Sequence, residues 1–202
     1  MTTTQRRSRE EQRARTRAEL LDAAAVVFAR HGYHGTSVDM VAEAAGYTKG
    51  AVYSNFESKE ELFLALLDAH LDQAVDVVAE MIEQTPVGER ADALAARSGR
   101  IEVLERDWFL LETEFILYAA RNPAAAEKIA ASQRRTRQRL AALVERHVAD
   151  LGVTIDVAAE DIALLLSAAG DGLTIAKLTQ PEVEADRLLG LLLSLLDRAA
   201  RA

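Results

Sequence analysis

The chain contains no cysteine. That excludes a disulfide scaffold, a thiolate metal site, a redox pair and a cysteine nucleophile together. Proline is nearly as scarce, at three residues, and glycine stands at ten, so few positions force the backbone out of regular structure. Aromatic residues are only 5% of the chain, which leaves most of any core to aliphatic side chains. Strand-like alternation of apolar and polar residues is absent. No uninterrupted apolar run approaches the roughly 18 residues of a membrane span, the longest candidate being Leu188 to Leu196. The opening stretch, MTTTQRRSREEQRARTR, has no apolar segment of the kind a signal peptide needs. These absences set the expectation of a cytoplasmic protein with no membrane partner.

Half of the 202 residues are apolar and 28% are charged, a composition that supports a well-formed core. The net charge of −8 is unevenly spread: residues 1–17 hold six arginines against Glu10 and Glu11. A basic end on an acidic body argues against coating of the whole surface by nucleic acid but permits one edge that meets phosphate. A solvated, disordered tail is the other reading of the first dozen residues.

Apolar residues recur at spacings of three and four almost throughout, with turn residues at the joints, so the sequence predicts an all-α fold of about nine helices. The first is expected to start at Thr16, with Glu19 completing a capping box, and to stop at Gly32. A second follows Thr36 and ends at Gly46; a very short third begins near Thr48. The fourth begins at Ser58, with Glu61 as its capping partner, and runs to about Glu83, ahead of Pro86. Residues 87–105 hold one or two short helices around Gly88 and Gly99. An aromatic-rich helix spans Asp107 to Arg121, Asn122-Pro123 opens a long one that ends at Gly152, and two leucine-rich helices cover about 156–179 and 182–202.

The last two are apolar around much of their circumference, and a helix apolar on two sides needs two partners. A homodimer with a four-helix seam is expected, with Ala169, Gly170 and Gly172 allowing close approach and Leu189, Leu192, Leu193 and Leu196 packing across it. Burial of both faces within one subunit is the alternative.

Residues 36–56, TSVDMVAEAAGYTKGAVYSNF, carry the most informative pattern. Two short helices are joined by Ala45-Gly46-Tyr47, the plan of a helix-turn-helix. Gly46 supplies a left-handed residue, Val41 and Ala42 are small enough for a close crossing, and Thr48 caps the second helix. That helix presents Lys49, Gly50, Ala51, Tyr53 and Ser54, and needs only Val52 and Phe56 for the core. Small and polar residues at its start suit insertion into a major groove. Helical hairpins of this plan also occur without any DNA partner.

From Arg17 to Asp68 the sequence resembles the N-terminal domain of the tetracycline-repressor (TetR) family of bacterial regulators. The matching positions include LLDAA and Phe28 of helix 1, the Gly-Tyr pair before helix 2, Thr36-Ser37, Lys49-Gly50, Tyr53, Phe56 and Ser58-Lys59-Glu60. Asn55 and Tyr47 depart from residues common in the family. The resemblance implies a basic arm over 1–13, a DNA-binding domain over 14–74 with the helix-turn-helix at about 37–56, and a ligand-binding and dimerisation domain over 75–202. It further implies that Thr36, Thr48, Lys49, Tyr53 and Lys59 meet phosphates, and that Lys49, Ala51, Tyr53 and Ser54 read bases. Ser37, Gly50 and Asn55 complete the implied DNA-contacting set. Two alternatives stay open: Tyr53 as a half-buried ring that orients the helix, and Lys59 as a solvated charge.

The implied partners are a double-stranded operator, a second copy of the chain and an unidentified small-molecule effector; no cofactor and no metal is implied. On the aromatic-rich helix, Trp108, Glu112, Phe115 and Tyr118 share one broad face, a carboxylate in an aromatic stripe that suits a cationic, apolar ligand. The competing reading makes these rings plain core. The expected function is a ligand-responsive repressor of transcription, not an enzyme, released from a near-palindromic operator. A transcriptional activator, a helical-bundle enzyme and a dimerisation module without DNA binding are the other readings weighed. Against the enzyme, none of His31, His34, His70 and His147 has Glu three residues before it, as a di-iron bundle requires.

Overall fold

In the computed structural model, which describes residues 2–98 and 103–200, every regular element is helical. The helices are α1 (Thr2–Gly35), α2 (Val38–Ala45), α3 (Lys49–Tyr53), α4 (Lys59–Gln84), α5 (Arg90–Ser98), α6 (Val103–Ala119), α7 (Pro123–Leu151), α8 (Ala159–Thr179) and α9 (Ala185–Ala200), with a 3-10 turn at Val87–Glu89 between α4 and α5. The expected helix boundary near Gly99 lies outside the described residues.

Local chemistry accounts for most of the boundaries. The Ser37 hydroxyl accepts from the Met40 amide at the head of α2, and Gly46 ends that helix in the left-handed region at φ 70°. Thr48 caps α3 in the same way, through the Ala51 amide. At the head of α4 the Ser58 hydroxyl accepts from the Glu61 amide (3.0 Å), while the Glu61 carboxylate accepts from the Glu57 amide (2.6 Å). This is a capping box displaced by one residue on its return arm. Gly152 closes α7 at φ 68°.

One expected boundary is corrected. Helix α1 begins at Thr2 rather than Thr16: the run of Arg, Gln and Glu before Thr16 has high helix propensity and no breaker, so Thr16 lies inside the helix. Glu19 serves Arg15 (3.3 Å) and the Tyr47 hydroxyl instead of a cap. The helices group into two compact units that do not follow chain order. One compact unit comprises Met1–His70 and Glu102–Ser132, the other Leu71–Ile101 and Gln133–Ala202, because α6 packs on α1 through polar and aromatic contacts that sequence order does not reveal. Finally, α8 is 21 residues long with a mean hydropathy of 1.4 over its most apolar window. By length and composition it could cross a membrane, although it has no uninterrupted apolar run.

The first unit is built around Phe28, Phe63 and Phe115, all fully buried, with Tyr33 between them. Tyr33 meets Phe115 edge-on at 4.9 Å and Phe63 at 5.2 Å, centroid to centroid, geometries favourable for aromatic quadrupoles. At Gly32 the helical path of α1 breaks, at φ 71° and ψ 173°. In the second unit, Val75, Ile82 and Leu143 form a small core, supported by Val78, Ala79, Met81 and Leu140; α5 and α8 both pack on α9.

Two glycine substitutions separate conformation from space. A Cβ on Gly46 would meet nothing within 4 Å, whereas one on Gly32 would lie 2.7 Å from the Glu114 carboxylate. Gly46→Ala should therefore cost only the left-handed penalty of about 1–2 kcal/mol. Gly32→Ala should cost more, because the carboxylate must also move. Urea denaturation of the two variants checks this order, and equal losses would contradict it.

Candidate functional site

The turn between α1 and α2 is fixed by charges of opposite sign. The break at Gly32 frees two amides, and the Glu114 carboxylate of α6 accepts from both, Tyr33 N at 2.9 Å and His34 N at 3.0 Å. Lys59, at the start of α4, donates to the carbonyls of Tyr33 (2.9 Å) and Thr36 (3.0 Å), with its ammonium 4.5 Å from the Tyr33 ring centre. Burial holds the Lys59 pKa below its usual value against the opposing influence of Glu114. The same burial, reinforced by Tyr118 and Glu60, pushes the Tyr33 phenol well up.

The helix-turn-helix that follows places α3 with one face in and one face out. Val52 and Phe56 are buried; Thr48, Lys49, Gly50, Tyr53 and Ser54 are exposed, and Ala51 is partly so. Tyr53 keeps 47% of its surface in solvent. Lys49 Nζ lies 2.7 Å from Asp39 Oδ2, and that hydrogen bond raises the lysine pKa. Both partners are more than half exposed, so solvent screens the pair and it gives way readily to a phosphate. A Cβ on Gly50 would meet only the Thr48 hydroxyl, at 3.8 Å, so the head of α3 is open to close approach.

The carbonyl end of α3 is held from below. Arg17 donates to Asn55 O at 2.7 Å and stacks over the Phe56 ring at 4.1 Å; Arg13 reaches Ser54 O at 3.4 Å. Cations belong at this end, where carbonyls are unpaired and the helix dipole is negative. Part of the arginine-rich segment thus has an internal task that its sequence did not disclose, because 38 residues separate Arg17 from Asn55.

Three residues of the implied DNA-contacting set have partners within the chain. The Thr36 side chain is buried, at 3% exposure, and its hydroxyl donates to Gly32 O at 2.8 Å. Lys59 is committed to the two carbonyls above. Asn55 turns inward, its amide donating to Ala51 O (2.9 Å) and Ser54 Oγ (3.3 Å), and its Oδ1 is buried without a partner. Ser37 is exposed but spends its oxygen on the α2 cap.

A cavity of about 740 Å³ lies wholly within the second unit, lined by aliphatic side chains from α4, α5, α7, α8 and α9. None of Trp108, Glu112, Phe115 and Tyr118 lines it. Phe115 is core, the Tyr118 hydroxyl donates to Glu60 (3.2 Å), and Trp108 stacks flat on His70 at 4.2 Å. The rings of α6 serve packing in the first unit, and Glu114, two residues from Glu112, is the carboxylate that organises it.

The leucines of α9 are sorted by a register the sequence left ambiguous. Leu189, Leu193 and Leu196 line the cavity, while Leu191 and Leu195 are exposed at 45% and 51%. Leu192 and Ala169 are half-buried, and Gly170 and Gly172 face open space. On α8, Leu164, Leu165 and Ile175 are exposed at 49–67%. Among the described residues no group of three or more His, Asp or Glu side chains could hold a metal ion.

The family model described as bacterial regulatory proteins, tetR family, matches residues 20–66, and the one described as BetI-type transcriptional repressor, C-terminal, matches residues 88–201. Over 91 residues the chain is 37% identical to the HTH-type transcriptional activator FasR of Mycolicibacterium smegmatis, covering 45% of this chain and 41% of that one. It is also 37% identical, over 97 residues, to the HTH-type transcriptional repressor AcnR of Corynebacterium diphtheriae, covering 45% and 51%. The matched stretch spans about half the length of these curated relatives or less. A transcriptional regulator from Saccharomonospora viridis, solved in complex with choline, superposes with a TM-score of 0.66 at 24% identity, covering 90% of this chain and 94% of that one, and shares its fold.

The two lysines should behave oppositely on substitution. Lys59→Met leaves two carbonyls without their charged donor and should lower unfolding stability by roughly 1.5–3 kcal/mol. Lys49→Met should melt as the parent does, since the side chain is exposed. Thermal and urea melts of the two variants check this, and comparable losses would contradict the assignment.

Proposed function

Because the chain belongs to the TetR family of bacterial regulatory proteins, we propose that it is a dimeric, sequence-specific DNA-binding repressor that a small molecule releases from its operator. The observation that carries this reading is the outward face of α3. Thr48, Lys49, Gly50, Tyr53 and Ser54 are exposed on a capped helix whose other face is core. Lys49 and Tyr53 suit phosphate and base-edge contacts, and Ala51 suits a thymine methyl. DNA reading is assigned to residues 14–74, and effector binding and dimerisation to 75–202. The repressor reading follows AcnR; FasR, named an activator, is the observation that keeps activation as the second reading.

The exposed leucines support the dimer. On α8, Leu164, Ala168 and Ile175 fall on one stripe, and on α9 Leu191 and Leu195 are one turn apart, all of them solvent-facing in a single chain. Such an aliphatic face is the usual signature of an interface. A second copy of the chain covers it and sets two reading heads about one duplex turn apart, roughly 34–36 Å, the spacing of successive major grooves. An effector that prefers another spacing lowers DNA affinity; a coupling of about 1–3 kcal/mol changes it about 5–150-fold. The protein acts in the cytoplasm, where its DNA is.

Selection from a random duplex library, at stated salt because phosphate contacts are salt-dependent, should enrich a near-palindrome. Lys49→Ala and Tyr53→Ala should each weaken binding to it at least tenfold with unchanged melting. A folded protein that enriches nothing, or variants that bind as tightly as the parent, would refute the reading. Leu195→Glu should yield a monomer by light scattering that binds the enriched site far more weakly; an intact dimer would move the interface elsewhere.

A further inference from the structure

The cavity of the second unit has a chemistry specific enough to name its ligand class. Its wall is chiefly aliphatic, and among the described residues no Phe, Tyr or Trp lines it, so a quaternary ammonium would find no such ring face to rest on. At about 740 Å³ it falls within the range of small-molecule sites, which run from about 300 to 1,000 Å³. Polar groups converge at one place. Arg90, whose side chain is only 10% exposed, contacts Asp150 Oδ2 at 2.7 Å and His147 Nδ1 at 3.3 Å, and His147 Nε2 lies 2.8 Å from Asp197 Oδ1.

The direction of these bonds is forced. A guanidinium only donates, so Nδ1 of His147 accepts and the Nε2 proton faces Asp197. The relay Asp150–Arg90–His147–Asp197 therefore sets two carboxylates against one guanidinium. Asp150 takes the charge-assisted bond; Asp197, which lines the cavity, has only an imidazole N–H. No hydrogen bond among the described residues reaches the second oxygen of Asp197. This leaves an underused acceptor and excess negative charge beside an apolar space, where electrostatic interactions are less screened than in water.

We propose that the cavity takes a molecule with an aliphatic body and a head group that donates a hydrogen bond to Asp197, a hydroxyl or an amine, and that it rejects the corresponding carboxylate. The inference rests on the reading of the chain as an effector-responsive regulator for its biological meaning, but the binding itself can be measured without DNA. The aliphatic walls hold the body by desolvation alone. The head is read by charge: a carboxylate placed beside Asp197 meets like charge in a partly dry site, and Arg90 is already engaged by Asp150.

Displacement of a neutral fluorescent apolar dye by dodecanol, dodecylamine and dodecanoic acid, each below its aggregation limit, tests this on the full chain. The alcohol and the amine should displace the dye at concentrations at least tenfold below those the acid requires. In Asp197→Asn, an isosteric change, the amine should weaken about tenfold and its margin over the acid should close. Leu166→Trp, which fills the cavity from α8, should abolish displacement by all three; circular dichroism establishes that both variants are folded. The proposal is overturned if the acid binds as well as the other two, if none of them binds, or if Asp197→Asn leaves the preference unchanged. Because no operator is involved, failure to enrich a duplex and failure of this preference are separate results.

Discussion

Helix α1 stops being a helix at Gly32, and a carboxylate from α6 catches the two amides that the break releases. The first unit depends on this one contact. Gly32 is required there twice over, by its positive φ and by the proximity of Glu114. The turn that follows aims α2, and α2 aims α3, so the direction of the exposed helix is inherited from a carboxylate 81 residues away from the amide it holds. On the opposite side of the same turn, Lys59 collects the carbonyls of Tyr33 and Thr36. The buried Tyr33 ring packs against the Lys59 ammonium and against Phe63 and Phe115 of the core.

The cations around the helix-turn-helix divide into two groups with different tasks. Lys59, Arg13 and Arg17 face backbone carbonyls and fix elements in place. Lys49 faces solvent, held only by an exposed aspartate. A charged side chain inside a domain is stable when its hydrogen bonds are satisfied there, and those that are satisfied have little left for an external phosphate. The proposed reading surface is therefore smaller than a list of basic residues suggests, and it consists chiefly of small and polar side chains on one short helix.

Much of this was legible in the sequence, for a local reason. Thr48, Ser58, Gly46 and Gly152 act on amides and carbonyls within a few residues of themselves, so spacing alone reveals them. Residues separated by 50 residues or more leave no such trace: Glu114 with Tyr33, Arg90 with His147 and His147 with Asp197 had no local signal. Nothing in the spacing of α6 marks Glu114 as the acceptor for the amides of Tyr33 and His34, because its partners come from another helix. The leucines of α9 show it again. A helix that reads LLGLLLSLL is apolar on every side, and only the position of its neighbours decides that Leu189 and Leu193 face a cavity while Leu191 and Leu195 face out.

In the proposed complex two copies of α3 enter successive major grooves of one duplex. Hydroxyl-radical footprinting on a duplex that the protein binds tests it most directly. Two protected patches are expected on one face of the DNA, their centres about 10 base pairs or a multiple of that apart, each lost when the α3 surface is altered. A single patch, or protection without periodicity, would contradict it.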